Sequence, residues 1–349
     1  MHIKQQRTPF YKKKGFLWPV GIILTLIIVI LAAFRLSPIP GALVIRAVFE
    51  DDGKKVTQSL EAHLPNKPIK VVSDQQYKSG DNDAYLDVYY SEALADSDEK
   101  QPVIIWTHGG AWLSGDKKNS APYFKLLASA GYTVIAPNYS LAPEKTYPTA
   151  VHQLNDAYKY IQDNNQRFHA DTDNIVLAGD SAGSQLSAQL AAITTDPTYA
   201  SAMNMTPNLK SEQLKGVVLN CGIYKMDGLT QPDPSLPKLV GWGNDVAVWA
   251  LTGTRDFSDP VIKQMSPYYH VTEDFPPAFI TGGNADALTN EQSKPFAEKL
   301  QSLNVDVTTL FYPANHQPAL AHEYQFDLST NDGKAALTKI IDFVKMHVR

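Results

Sequence analysis

The chain has 349 residues, 44 % hydrophobic and 19 % charged, enough to bury a substantial core and compatible with one large domain carrying insertions. Its formal net charge is −5, but residues 1–35 hold six cations and no acid, so everything after Arg35 carries −11, which argues against a nucleic-acid partner for the folded part. The only cysteine, Cys221, excludes an intramolecular disulfide and a cysteine-rich metal site, and it reads as a small buried apolar residue.

From Phe16 to Phe34 the chain runs FLWPVGIILTLIIVILAAF without a charge. A helix of that length reaches roughly 28 Å, close to the thickness of a bilayer's hydrocarbon. Lys12, Lys13 and Lys14 stand immediately before it, which keeps the amino terminus in the cytoplasm and puts residues from about 36 onward outside. Residues 1–35 therefore read as a basic tail and a single-pass cell-membrane anchor. The alternative is a cleaved signal peptide and a secreted protein, for which Leu31, Ala32 and Ala33 make a poor cleavage site.

Residues 36–349 read as one domain without internal repeats. An amphipathic, helical stretch between Pro40 and Leu64 precedes two extended segments, IKVVSD and AYLDVYY. Strands and helices then alternate: VIIWT, YFKLLASA, TVIAPNY, AVHQLNDAYKYIQ, NIVLAG, SAGSQLSAQLAAI, GVVLNC, AFITGG, FAEKLQSL, VDVTTLFY and AALTKIIDFV. That alternation predicts an α/β fold, a mostly parallel sheet with helices on both faces. One long irregular stretch, about 223–272, interrupts it and reads as a cap over the carboxyl ends of the strands. Its aromatics Tyr224, Trp242, Trp249, Tyr268 and Tyr269 could line an acyl or alcohol pocket, although packing within the cap is the better reading of any one of them.

Gly179-Asp180-Ser181-Ala182-Gly183 fits G-x-S-x-G between a buried strand and an Ala-rich helix, the setting in which a sharp turn lifts a nucleophilic serine above the sheet edge. His108-Gly109-Gly110-Ala111-Trp112 follows another strand end. Gly109, Gly110 and Ala111 form a loop whose amides, with that of Ala182, suit an oxyanion hole; Gly110 and Ala111 are the preferred donors in the loop. In this chain order an acid and then a histidine should follow the serine. Asp286, just after AFITGG, is the candidate acid, and Asp306 is a poorer one because it sits at or in a strand. Two histidines, His316 and His322, lie in the loop after VDVTTLFY, where the base belongs. His63, His152, His169 and His270 lie away from these strand ends, and His108 reads as a support for the oxyanion loop.

HGGAWLSGDK, YSLAPEKTYPTA and GDSAGSQLSAQLAA resemble the corresponding blocks of the hormone-sensitive-lipase-like, HGGG-type esterases, a likeness that extends over most of the chain after about residue 70. The resemblance implies the α/β-hydrolase fold and a Ser-His-Asp carboxylesterase or lipase acting on short to medium acyl esters without metal or other cofactor. Asp286 matches the family's D-x-L acid, and His322, followed by Tyr324 and Phe326, fits the family's histidine better than His316. Ala111 departs from the third glycine of many members, which bears on pocket width. Asp116, Tyr139, Pro143 and Glu144 belong to these blocks with structural duties, while Lys117 and Lys118 read as solvated charges. A surface serine peptidase or an acyltransferase of the same fold, or a silent hydrolase-like binding protein, are the competing functions.

Overall fold

Residues 14–230 and 238–348 are described by the computed structural model. The basic tail with Lys4, Arg7, Lys12 and Lys13 lies outside them. Eight strands form one sheet: β1 (Ile69–Gln76), β2 (Tyr85–Ser91), β3 (Gln101–Thr107), β4 (Thr133–Pro137), β5 (Ala170–Asp180), β6 (Leu214–Asn220), β7 (Ala278–Gly282) and β8 (Val307–Phe311), in the order β1-β2-β4-β3-β5-β6-β7-β8. β2 pairs antiparallel with both β1 and β4, and every pair from β4 to β8 is parallel. Strands buried on both faces need apolar residues at every position, which is why VIIWT and NIVLAG read as unbroken apolar runs.

The helices are α1 (Lys14–Leu36), α2 (Ile39–Glu61), α3 (Ala121–Ser129), α4 (Thr149–Asp163), α5 (Ala182–Thr195), α6 (Pro197–Ala202), α7 (Lys238–Thr252), α8 (Pro260–Gln264), α9 (Lys294–Ser302) and α10 (Asn331–His347). Alternate side chains of the central strands enter two cores. Val103, Ile105, Ile175 and Leu177 meet α4 and α5 through Leu154, Tyr158 and Leu186. Ile104, Trp106, Val176 and Ala178 meet α3 and α10 through Phe124, Leu127 and Phe343. The sheet is thus covered on both sides and its carboxyl ends open onto one rim. Trp18–Leu36 of α1 is apolar and unburied, with the length and composition of a membrane span.

The stretch between β6 and β7 is not irregular as its composition suggested, because it contains the fifteen-residue α7. Gly241, Gly243 and three valines lower helix propensity there. Tertiary packing overrides that preference: Val246, Ala247, Val248, Ala250 and Leu251 are buried, and Trp242 and Val246 close on the backbone of α2 at Gly41, where a Cβ would collide with them. Arg46 fixes α2 to the loops that follow β3 and β4, through Nε to the Leu113 carbonyl (2.6 Å), Nη2 to the Ala142 carbonyl (2.9 Å) and both guanidinium ends to Glu144.

Lys117 is not a solvated charge. It is buried, with Nζ 2.7 Å from Asp87 Oδ1 and 2.6 Å from Asp74 Oδ1. The register of β1 against β2 shifts between Val72 and Gln75, and Asp74, in the left-handed region at φ +54°, donates its amide to Asp87 Oδ1. The bulge turns two carboxylates onto one ammonium. Removing that ammonium strands the buried Asp87, so Lys117→Met should cost about 3–5 kcal/mol. Lys117→Met/Asp87→Leu should recover most of the loss in denaturant unfolding of the full chain, and a double variant less stable than the single one would contradict the pairing.

Candidate active site

β5 ends and α5 begins without a spacer, so Ser181 must make the turn alone. It does so at φ +50°, ψ −119°, with its amide bonded to the Asn220 carbonyl at the end of β6 (2.9 Å). Such backbone conformations cost energy in a non-glycine residue and persist only where the surroundings fix them. Here they do: a Cβ on Gly179 would overlap Gly183, and one on Gly183 would overlap the Thr107 carbonyl at the end of β3. The hydroxyl of Ser184 also ties the turn down, to the carbonyls of Gly179 (2.7 Å) and Asn220 (2.9 Å).

Asp180, the variable residue of the pentapeptide, has a role that the motif does not reveal. Its buried carboxylate accepts from Trp106 Nε1 and from the Gly109 amide, both at 2.7 Å. The Gly109 amide is therefore already engaged, and of the loop amides singled out in the sequence those of Gly110 and Ala111 remain for an oxyanion. Gly110, Ala111 and Trp112 turn the loop through three successive positive φ values, +108°, +54° and +59°. Trp112 Nε1 then bonds Gln185 Oε1 (2.9 Å), whose Nε2 reaches the Met265 carbonyl (2.8 Å), linking the loop, α5 and the segment between β6 and β7. His108 supports the loop as expected, with Nδ1 on the Gly109 carbonyl (2.8 Å) and the ring stacked on Tyr139, 4.4 Å between centroids.

Asp286 follows β7 and His322 lies in the loop after β8. Asp286 Oδ2 accepts from His322 Nδ1 (2.9 Å), and Oδ1 accepts from the Leu288 amide (3.0 Å), so the carboxylate is fixed at both oxygens. Asn284 binds the two loops together: Oδ1 accepts from the Leu320 amide (2.8 Å) and Nδ2 donates to the His316 carbonyl (3.1 Å). Gly283 allows this approach, since a Cβ there would overlap the Leu320 carbonyl. His316 is apart from the cluster, bonded to its own carboxylate, Asp332 Oδ2, at 3.0 Å. The pair built at the serine's rim is Asp286–His322.

Three further groups crowd this imidazole. Glu323, in the left-handed region at φ +60°, brings Oε1 to 3.7 Å from His322 Nε2 and toward Gly109 and Asp180. Burial pulls the His322 pKa down, but Asp286, Glu323 and Asp180 together outweigh it and push the pKa up to about 9. Burial, and then the charge of Glu323, pushes Asp180 up to about 8. His322 Nε2 thus faces Glu323, and no hydrogen bond joins it to the Ser181 hydroxyl in the free protein; such bonds commonly tighten when substrate binds. Cys221 lies beneath, buried as expected, and its Sγ is within 4.8 Å of the ligating atoms of Asp286 and His322. Burial, reinforced by Asp286 and Glu323, pushes the Cys221 thiol up.

An apolar cavity of about 370 Å³ reaches the oxyanion loop at Ala111 and Trp112. α2 and α7 build its walls from Val44, Val48, Phe49, Leu239, Val240 and Trp242. Of the five cap aromatics singled out in the sequence only Trp242 lines this cavity. Tyr224 stacks on Phe296, Trp249 lies under Arg255, and Tyr268 and Tyr269 pack edge to face.

The BD-FAE family model matches residues 86–300, well over half of the chain. The chain belongs to this family. It is an α/β-hydrolase of the hormone-sensitive-lipase-like type, as the three sequence blocks implied. Among curated relatives, Esterase LipC of Mycobacterium tuberculosis is 28 % identical over 206 residues, 58 % of this chain and 49 % of that one. An esterase of Gibberella moniliformis is 26 % identical over 264 residues, 73 % of this chain and 79 % of that one. The chain thus spans about half the length of the mycobacterial relative. Esterase B of Lactobacillus rhamnosis, solved with an inhibitor described as C6-C4 SN3, shares the fold at a TM-score of 0.73 and 20 % identity, over 88 % of this chain and 96 % of that one.

Glu323 is the site residue that sequence reasoning missed, since a glutamate after the histidine carries no motif. If His322 serves as a general base it must be neutral to take a proton, and kcat/KM should then rise with pH well past the ordinary imidazole range, toward about 9. Glu323→Gln removes a charge that favours the imidazolium, so the midpoint of that rise should move to lower pH in a pH–rate profile. An unmoved midpoint would show that Glu323 does not face the titrating group.

Proposed function

We propose that this member of the BD-FAE family is a serine carboxylesterase with Ser181 as nucleophile, His322 as base and Asp286 as its orienting acid. The 2.9 Å bond from His322 Nδ1 to Asp286 is the observation that carries the reading. It fixes the tautomer whose Nε2 is free to take the serine proton once the imidazolium has titrated. Ser181 Oγ attacks the ester carbonyl as His322 takes its proton. The oxyanion forms against the amides of Gly110, Ala111 and Ala182, and the alcohol departs with the proton from His322. Water, deprotonated by the same imidazole, then releases the acyl group. The apolar cavity beside Ala111 favours an ester with an aliphatic chain of short to medium length over a peptide. Of the functions weighed on the sequence, ester hydrolysis is also the one named in the relatives.

In the same reading residues 1–35 are a cytoplasmic tail and single-pass anchor, residues 36–349 form the hydrolase domain outside the membrane, and about 223–272 are its cap. The apolar, unburied stretch Trp18–Leu36 supports the anchor.

With p-nitrophenyl butyrate, Ser181→Ala should lower kcat by roughly 10⁴ to 10⁶, the range of other triad knockouts. His322→Ala should fall comparably and His316→Ala should stay near wild type. Activity that survives His322→Ala but is lost in His316→Ala would transfer the base to the Asp332 pair.

A further inference from the structure

α1 ends at Leu36 and α2 begins at Ile39, so only Ser37 and Pro38 separate the proposed membrane span from the helix that walls the apolar cavity. The cavity residues of α2, Val44 to Phe49, lie within ten residues of its first turn, which is roughly 15 Å of helix. They therefore cannot be far from the bilayer surface in which α1 ends. Several exposed side chains of α2 and of the start of α7, the two helices that wall the cavity, are apolar. Ile39 is 51 % exposed, Leu43 50 %, Val48 57 % and Leu239 71 %, with Val44, Phe49 and Val240 also open to solvent. A free surface so rich in aliphatic groups marks an interaction face. Chain connectivity brings one surface close to it, the bilayer in which the proposed span ends.

Resting on the esterase and anchor readings above, we infer that the collar of α2 and α7 docks into the outer leaflet and that the enzyme takes its substrate from the membrane, as an amphiphilic ester whose aliphatic chain passes directly into the cavity beside Ala111. The reacting carbonyl then arrives at the Gly110–Ala111 loop without crossing water. α7 is held to α2 at Gly41, and Arg46 holds α2 to the Leu113 carbonyl behind the oxyanion loop, so the docking face and the reacting end belong to one rigid unit. Ile39 and Leu43 do not line the cavity, which makes them a means of separating docking from catalysis.

The test uses the full chain in phosphatidylcholine vesicles, a zwitterionic lipid that leaves charge repulsion out. Two substrates are compared, p-nitrophenyl butyrate in the aqueous phase and a fluorogenic diacylglycerol ester held in the vesicles. Ile39→Asp/Leu43→Asp should lower turnover of the vesicle-held ester by about tenfold or more while butyrate hydrolysis stays within about twofold. An unchanged rate on the vesicle-held ester, or an equal loss on both, would overturn the inference. A second readout does not depend on activity. Because Cys221 is buried, Leu43→Cys can be labelled alone with an environment-sensitive dye and exposed to brominated lipid, with Glu212→Cys, at the amino-terminal end of β6, as control. Quenching at position 43 but not at 212 is expected; no quenching at 43 overturns the docking even if the esterase reading stands. A wild-type protein that quenches as expected yet hydrolyses neither ester would remove the esterase reading and leave the docked face.

Discussion

The Asp180 carboxylate lies where two tight turns have to keep a fixed separation, the one that lifts Ser181 from β5 into α5 and the one that carries Gly109 to Trp112 off the end of β3. With one oxygen on the Trp106 indole and the other on the Gly109 amide, it ties the serine's turn to the oxyanion loop and to the core at once. The glycines around it exist for the same reason, since Gly179 and Gly183 let α5 press against the end of β3 closely enough for those bonds to form. A backbone at φ +50° would relax if this packing loosened, so the strain at Ser181 and the order of the loop stand or fall together.

Around the single imidazole the same crowding becomes electrostatics. Asp286 grips Nδ1, Glu323 stands off Nε2, and the charges of Asp286, Glu323 and Asp180 together push the His322 pKa up to about 9 against its burial. Burial, and after it the neighbouring charge of Glu323, pushes the Asp180 carboxyl up in turn.

Much of this was legible in the chain, and unequally so for physical reasons. The strands read clearly because a sheet buried on both faces demands apolar runs, and Ser181, Asp286 and His322 were singled out because a strand-to-helix turn and the chain order of a serine, an acid and a histidine leave signatures in sequence; of these the structure joins His322 to Asp286. The α7 helix was invisible because glycines and valines hide it, and tertiary packing, on α2 among other neighbours, stabilises it. Lys117 looked like any surface lysine, since nothing local announces a bulge that aims Asp74 and Asp87 at it. Gly109 was grouped with the oxyanion donors because a loop's spelling cannot tell which amide a distant aspartate has already engaged.

Covalent trapping tests the central claim most directly. An alkyl fluorophosphonate given to the full-length protein in vesicles should leave one phosphonyl adduct per chain, mapped by peptide mass spectrometry to Ser181, formed at an undiminished rate in His316→Ala and not measurably in His322→Ala. An adduct on another residue, or labelling of Ser181 that ignores the loss of His322, would contradict the account.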